Sequence, residues 1–334
     1  METAFNINNV YQILGNYGID KNFIKKIILP EWWEDEIANS KAGYFQTVSI
    51  ISKNLGIDAS ELINLTDVIT LRHQTNIKFK FPRNKSIDPK NIWPNSLAVK
   101  VSEIINQIYP VSYENTFKNA LEIRNAILQS GKLDLANTLD FLWSNGIPVL
   151  HIPVFPKEVN KMDGMAVHLN GRPLIILSKN RKHDAWLLFI LAHELGHIIK
   201  GHLSTTDEII FDLNLESEED PEEKAANEFA IELLNGTTSP SYLSDKKNYK
   251  SPFEFVNNIR PISKQVNVDP GVIALNYAYR TKKYALVEQA LNVLFPKADA
   301  VGLVKSTMES KLELEKLSEE NYDYFAKLTS ISGE

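Results

Sequence analysis

The chain has no cysteine. That excludes disulfides, thiolate nucleophiles and cysteine-ligated metal sites, and it fits a reducing compartment. It also lacks a long hydrophobic run: the longest, Ala185 to Ala192, falls well short of the roughly 20 residues that span a bilayer. Nor is there an excess of positive charge. With 36 Lys and Arg against 42 Asp and Glu the net charge is −6, which argues against a protein whose whole surface grips nucleic acid or anionic lipid. The opening Met1-Glu2-Thr3-Ala4-Phe5 shows no basic stretch followed by an apolar one, so no secretory leader is visible. These absences point to a cytoplasmic protein with no membrane partner. What is present is apolar material, 43% of 334 residues, enough for two or three packed domains.

One short stretch organises the rest. His193-Glu194-Leu195-Gly196-His197 closes the apolar run Trp186 to Ala192, and the pattern predicts a buried helix from about Arg181–Asp184 to His202. Residues four apart share a helix face, so both imidazoles can aim at one point. Two imidazoles at that spacing supply two corners of a tetrahedral zinc site. The Glu between them can take a proton from a water held there.

The flanking regions read as follows. Residues 1–75 predict short helices, with Phe45 to Leu55, a Gly56-Ile57-Asp58 turn and Ala59 to Leu65 in helix-turn-helix outline. A DNA reader needs basic side chains on the second helix, yet Glu61 and Asp67 are the charges there. DNA as a partner and a small helical docking module both stay open. Residues 76–98 read as a linker, with Lys78, Lys80, Arg83, Lys85 and Lys90 interleaved with Phe79, Phe81 and Trp93. Such a strip could also grip phosphate and bases. From Leu97 to Trp143 the chain looks helical. Ile147 to Val154, Gly164 to Leu169 and Pro173 to Leu177 read as strands, the last two joined by an Asn170-Gly171 hairpin signal. A small antiparallel sheet packed on the motif helix would offer a free edge to an extended peptide. Residues 99–245 therefore form the expected core. Residues 246–334 read as a helical tail: Phe253 to Val268, Val272 to Phe295 and Lys305 to Lys327. The last of these could dock a partner, dock another copy or cover its own core.

A catalytic zinc needs a third protein ligand. His202 lies five residues after His197, one short of the extended three-histidine pattern, so it fits poorly. A carboxylate from a following helix is the other solution. Asp207 to Glu223 holds nine carboxylates, most of them expected to be solvated. Pro221-Glu222-Glu223 then opens a strongly helical run that ends at Asn235-Gly236. Glu223, Asn227 and Ala230 share a face on that helix, and Ala226 flanks it with room for a close neighbour. Glu223 is the choice over Glu222, which points about 100° away. Asn227, one turn later, can orient a liganding imidazole.

His193 to His197, followed by Glu223-Lys224-Ala225-Ala226-Asn227-Glu228-Phe229-Ala230-Ile231-Glu232-Leu233-Leu234, resembles the ImmA/IrrE family of zinc metallo-endopeptidases. The resemblance runs from about Leu121 to Tyr279 and includes Gly146-Ile147-Pro148-Val149 and Asp269-Pro270-Gly271-Val272-Ile273. It implies an α+β, mostly helical, zincin-like fold. It implies zinc as cofactor, His193, His197 and Glu223 as its ligands, and Glu194 as general base. It further implies a protein substrate, a helix-turn-helix repressor or antitoxin encoded nearby. An oxyanion donor is expected among His168, Tyr242 and Tyr279. The chain departs from the family after Leu234, where Asn235-Gly236-Thr237-Thr238 intervenes before Pro240. The competing reading is a non-catalytic DNA-binding or antitoxin-like regulator that keeps the peptidase fold as a protein-binding platform.

Overall fold

A computed structural model describes residues 5–71, 78–80, 92–114, 116–159, 161–203, 208–212 and 220–331. Fourteen α-helices are present among them. They are α1 (Ile7–Asn16), α2 (Lys21–Phe23), α3 (Lys41–Leu55), α4 (Ala59–Ile63), α5 (Ile92–Ile108), α6 (Ala120–Gln129) and α7 (Leu135–Ser144), then α8 (Asp184–Ile199), α9 (Pro221–Asn235), α10 (Pro252–Val266), α11 (Pro270–Thr281), α12 (Tyr284–Leu294), α13 (Ala300–Lys311) and α14 (Glu319–Thr329). Five strands, β1 (Lys78–Lys80), β2 (Val149–His151), β3 (Gly164–Leu169), β4 (Arg172–Leu177) and β5 (Glu208–Asp212), form one sheet in the order β1-β5-β3-β4-β2. The fold is α+β and mostly helical, as expected. None of these helices is long and apolar enough to cross a membrane.

The sheet grows from its hairpin. Asn170 and Gly171 both take positive φ, +54° and +74°, the backbone that a tight two-residue turn requires and that Asn-Gly supplies at least cost. β3 and β4 then pair antiparallel from Leu169↔Arg172 to Gly164↔Leu177. The expectation of a purely antiparallel sheet is corrected at its flanks. β2 runs parallel to β4, and β1 runs parallel to β5. β5, from the acidic stretch between α8 and α9, pairs antiparallel along the other side of β3. Among the described residues β3 and β4, the strands packed on the motif helix, are interior, and the edge strands are β1 and β2.

Helix α8 lies under this sheet, packed against β3 and β4 and most extensively against α9. Its buried positions run almost all round, from Ala185 to Ile198, matching its unbroken apolar sequence. α9 starts at an Asp220 cap with Pro221 in the first turn and ends at Gly236 with φ +76°, the stop that Asn235-Gly236 signals.

Other expectations change. The helix expected over Val272 to Phe295 is two, because Lys282 takes φ +59° and ends α11. Lys305 to Lys327 is likewise interrupted after Lys311. Residues 76–98 hold β1 and the start of α5; 76–77 and 81–91 lie outside the described residues. Trp93, read as a potential base-stacking side chain, is fully buried edge-on against Phe23, with ring centroids 4.7 Å apart. The side chains of Lys78, Phe79, Lys80, Phe81, Arg83, Lys85 and Lys90 lie outside what is described. In the tail, α14 covers the chain's own N-terminal helices. Tyr324, Phe325 and Leu328 are buried, Tyr324 donates its hydroxyl to the Asn54 carbonyl, and Lys327 reaches the Leu29 carbonyl at 2.9 Å.

One side chain fixes the far end of α9. Arg124 on α6 donates to the Leu233 and Leu234 carbonyls, each at 2.9 Å, and to the Asn267 carbonyl at 3.1 Å. A guanidinium there satisfies orphan carbonyls and faces the negative end of the helix dipole. Arg124→Ala should cost roughly 2–4 kcal/mol, read as a lowered midpoint in urea unfolding with an unchanged slope.

Candidate metal centre

His193 and His197 stand one turn apart on α8, and Glu223 comes from the first turn of α9. Contact between the helices brings them together. A Cβ built on Gly196 would sit 3.1 Å from the Cα and carbonyl oxygen of Ala226 and 3.2 Å from the Phe229 ring. Only a glycine facing a small residue lets the axes approach this closely. The face of small residues expected on α9 is the face that touches α8.

The resulting cluster is tight. His193 Nε2 and His197 Nε2 are 3.0 Å apart, and Glu223 places its carboxylate oxygens 3.3 Å from the first and 3.6 Å from the second. Both imidazoles are fully buried and Glu223 is 6% exposed. Among the described residues this is the one group of three His or acidic side chains that could hold a metal ion.

The geometry suits a cation. With bonds of roughly 2.0–2.1 Å, the edge of a tetrahedral zinc site is about 3.3 Å, and the three observed separations bracket that value. Three buried acceptors cannot present lone pairs to one point unless positive charge sits among them. Burial alone pushes the Glu223 carboxyl up, but its interaction with the His193 and His197 rings outweighs that and holds the group at about 2. It is therefore a carboxylate at neutral pH. Its place in the first turn of α9, at the positive end of the helix dipole, works in the same direction.

Each ring has an outer partner, and one of them sets a tautomer. Asn227 Oδ1 lies 2.9 Å from His193 Nδ1. Because that oxygen only accepts, Nδ1 carries the proton and Nε2 turns its lone pair inward. On the other ring, His202 Nδ1 lies 3.0 Å from His197 Nδ1. His202 thus stands behind His197, on the side away from the cluster. Sequence spacing argued that it fits poorly as a ligand but gave no sign of this contact. Glu222 is half-buried outside the group.

Glu194 is fully buried beside the cluster, and β3 makes room for it. A Cβ on Gly164 would meet Glu194 Oε1 at 2.5 Å, its Cγ at 2.8 Å and Ile190 Cγ2 at 2.8 Å. The requirement at Gly164 is space beside a carboxylate, which no periodicity in the sequence reveals. Of the oxyanion candidates, His168 sits four residues along β3 from Gly164, roughly 13 Å away, near Tyr113. Tyr242 bonds to the Asn235 carbonyl at the far end of α9. Only Tyr279, 43% exposed, lines the open cleft described below.

Residues 148–242 match the family model described as IrrE N-terminal-like domain, Peptidase_M78. That span contains His193, Glu194, His197, Glu223 and Asn227. It supports the resemblance to ImmA/IrrE peptidases for this part of the chain and a metallopeptidase-type function. No curated protein and no solved structure matches.

Asn227→Ala should weaken metal binding 10- to 100-fold, measured for added divalent cations by competition with a chromophoric chelator. Asn227→Asp keeps an acceptor toward Nδ1 and should bind nearly as the parent does.

Proposed function

We propose that the protein is a zinc-dependent endopeptidase that hydrolyses a peptide bond in a regulatory protein, a helix-turn-helix repressor or an antitoxin. The observation that carries the hydrolytic reading is the meeting of His193, His197 and Glu223 from two helices, with Glu194 buried next to His193 on α8. The choice of zinc rests on the all-nitrogen-and-oxygen donor set and its tetrahedral spacing. The choice of a regulator as substrate rests on the resemblance to the ImmA/IrrE family.

His193, His197 and Glu223 would hold the ion. When bound, zinc supplies Lewis acidity, polarising a carbonyl and making water more acidic. The chain's own side chains do the rest. Glu194, kept dry by β3 and α8, accepts the proton of the attacking water and returns it to the leaving amine. Asn227 and His202 hold the two rings in register, so neither must reorient during the reaction.

Zinc-loaded protein incubated with the repressor-like product of a neighbouring gene should make one discrete cut, seen by mass spectrometry. Glu194→Gln should retain stoichiometric zinc and lose cleavage. Uptake of zinc with no cut in the parent protein would point instead to the binding-platform reading. Gly164→Ala should also retain zinc, while displacement of Glu194 by the added methyl lowers the rate about 100-fold.

A further inference from the structure

Beside the His193, His197 and Glu223 group lies a cleft that the same two helices help to build. On α8, Trp186, Phe189 and Ile190 precede His193 along one stripe; on α9, Asn227 and Ile231 follow Glu223 at four-residue steps. All five line a single cleft of about 1070 Å³. Two of its lining residues adjoin the chemistry directly. Asn227 holds His193, and Ile190 shares with Glu194 the space beside Gly164. The cleft then runs out beneath α11 and α12, where Leu275 and Tyr284 complete an apolar floor.

The walls of this cleft are preset. Trp186 bonds to Glu288 through its Nε1 at 3.2 Å, stacks on Tyr284 at 27° with centroids 6.4 Å apart, and carries the Arg181 guanidinium 4.9 Å above its ring. Across from it, residues 238–241 form a polar wall. It continues from Asn235 to Thr238, where the sequence departs from the family pattern. Arg280 clamps it, donating to the Pro240 and Leu243 carbonyls at 2.6 and 2.9 Å and pairing with Asp245 at 2.9 Å. A half-open channel with one aromatic and aliphatic floor and one wall of hydroxyls and backbone has the composition of a peptide groove. Its volume exceeds what a single small ligand needs. β3 is already paired on both sides, so its edge does not compete for the same chain.

We infer that this cleft seats the polypeptide segment on one side of the scissile bond and selects a bulky apolar side chain there. The inference rests on the endopeptidase reading and adds the specificity of the same site. Its position is set by helix geometry. Trp186 lies seven residues before His193 and Ile231 eight after Glu223, or about 10–12 Å along each axis. An extended peptide covers that distance in about three residues. The selected side chain therefore falls within about three residues of the cut, on one side only.

The test is cleavage profiling with a tryptic library of denatured bacterial proteins as the probe. The zinc-loaded parent should show large apolar residues enriched about tenfold at one position within three residues of the cut. Leu275→Trp, which fills the floor, should shift that position toward small residues, and Phe189→Ala should broaden it toward larger ones; both should retain zinc. Cuts with no such enrichment, or a profile that neither variant moves, would overturn the inference and leave the endopeptidase reading standing. If the parent cuts neither this library nor the repressor-like protein, that reading fails, and binding decides the cleft. Zinc-loaded Glu194→Gln should then bind a decapeptide with a central Leu-Phe pair about tenfold tighter than its Ala-Ala counterpart, a difference that Leu275→Trp erases. Equal binding of the two peptides would overturn the cleft assignment as well.

Discussion

Three buried acceptor atoms held 3.0–3.6 Å apart are the interaction on which the rest depends. Left to themselves they repel, and each would be more stable in water. The fold overrides this with packing. Gly196 against Ala226 sets the distance between α8 and α9, the sheet and α7 press on α8 from other sides, and Arg124 and Asp220 secure the two ends of α9. The apolar core, continuous from Ile7 to Ile331, contributes the stability that keeps the polar cluster assembled. A cation converts the same arrangement from a strained one into a stabilising one, coupling metal binding to the integrity of the core.

Much of this was legible in sequence because it is written locally. The four-residue spacing of His193 and His197, the Asn170-Gly171 turn, the Pro221 start and Gly236 stop of α9, and the alignment of Glu223 with Asn227 all follow from helix and turn periodicity. What escaped is non-local or steric. The pairing of β5 along β3 depends on a segment whose composition reads as a solvated acidic loop. The parallel entry of β2 depends on where the chain crosses. The breaks at Lys282 and after Lys311 fall on residues with no intrinsic preference for ending a helix. His202 was weighed only as a ligand, because spacing speaks to coordination and not to a ring standing behind another ring.

Glycine illustrates the same division. Gly236 and Gly171 carry positive φ, and turn chemistry announces them. Gly164 and Gly196 have ordinary backbone. They are glycine because Glu194 on one side and Ala226 on the other occupy the space a methyl would take. In both cases the missing atom lies at the chemical centre, so the site is shaped as much by what two residues lack as by what its ligands offer.

The seal between α14 and the N-terminal helices has a consequence for biosynthesis. Tyr324 and Asn54 are 270 residues apart in the chain. At 5–20 residues per second, translation separates them by roughly 15–50 s. During that interval α3 and its neighbours leave the ribosome with an apolar face uncovered, while α8 and α9, made between the two, can already associate and bring His193, His197 and Glu223 together. The first part of the molecule to be synthesised is thus among the last to be completed, and over that interval it depends on chaperones or on its own marginal packing to avoid aggregation.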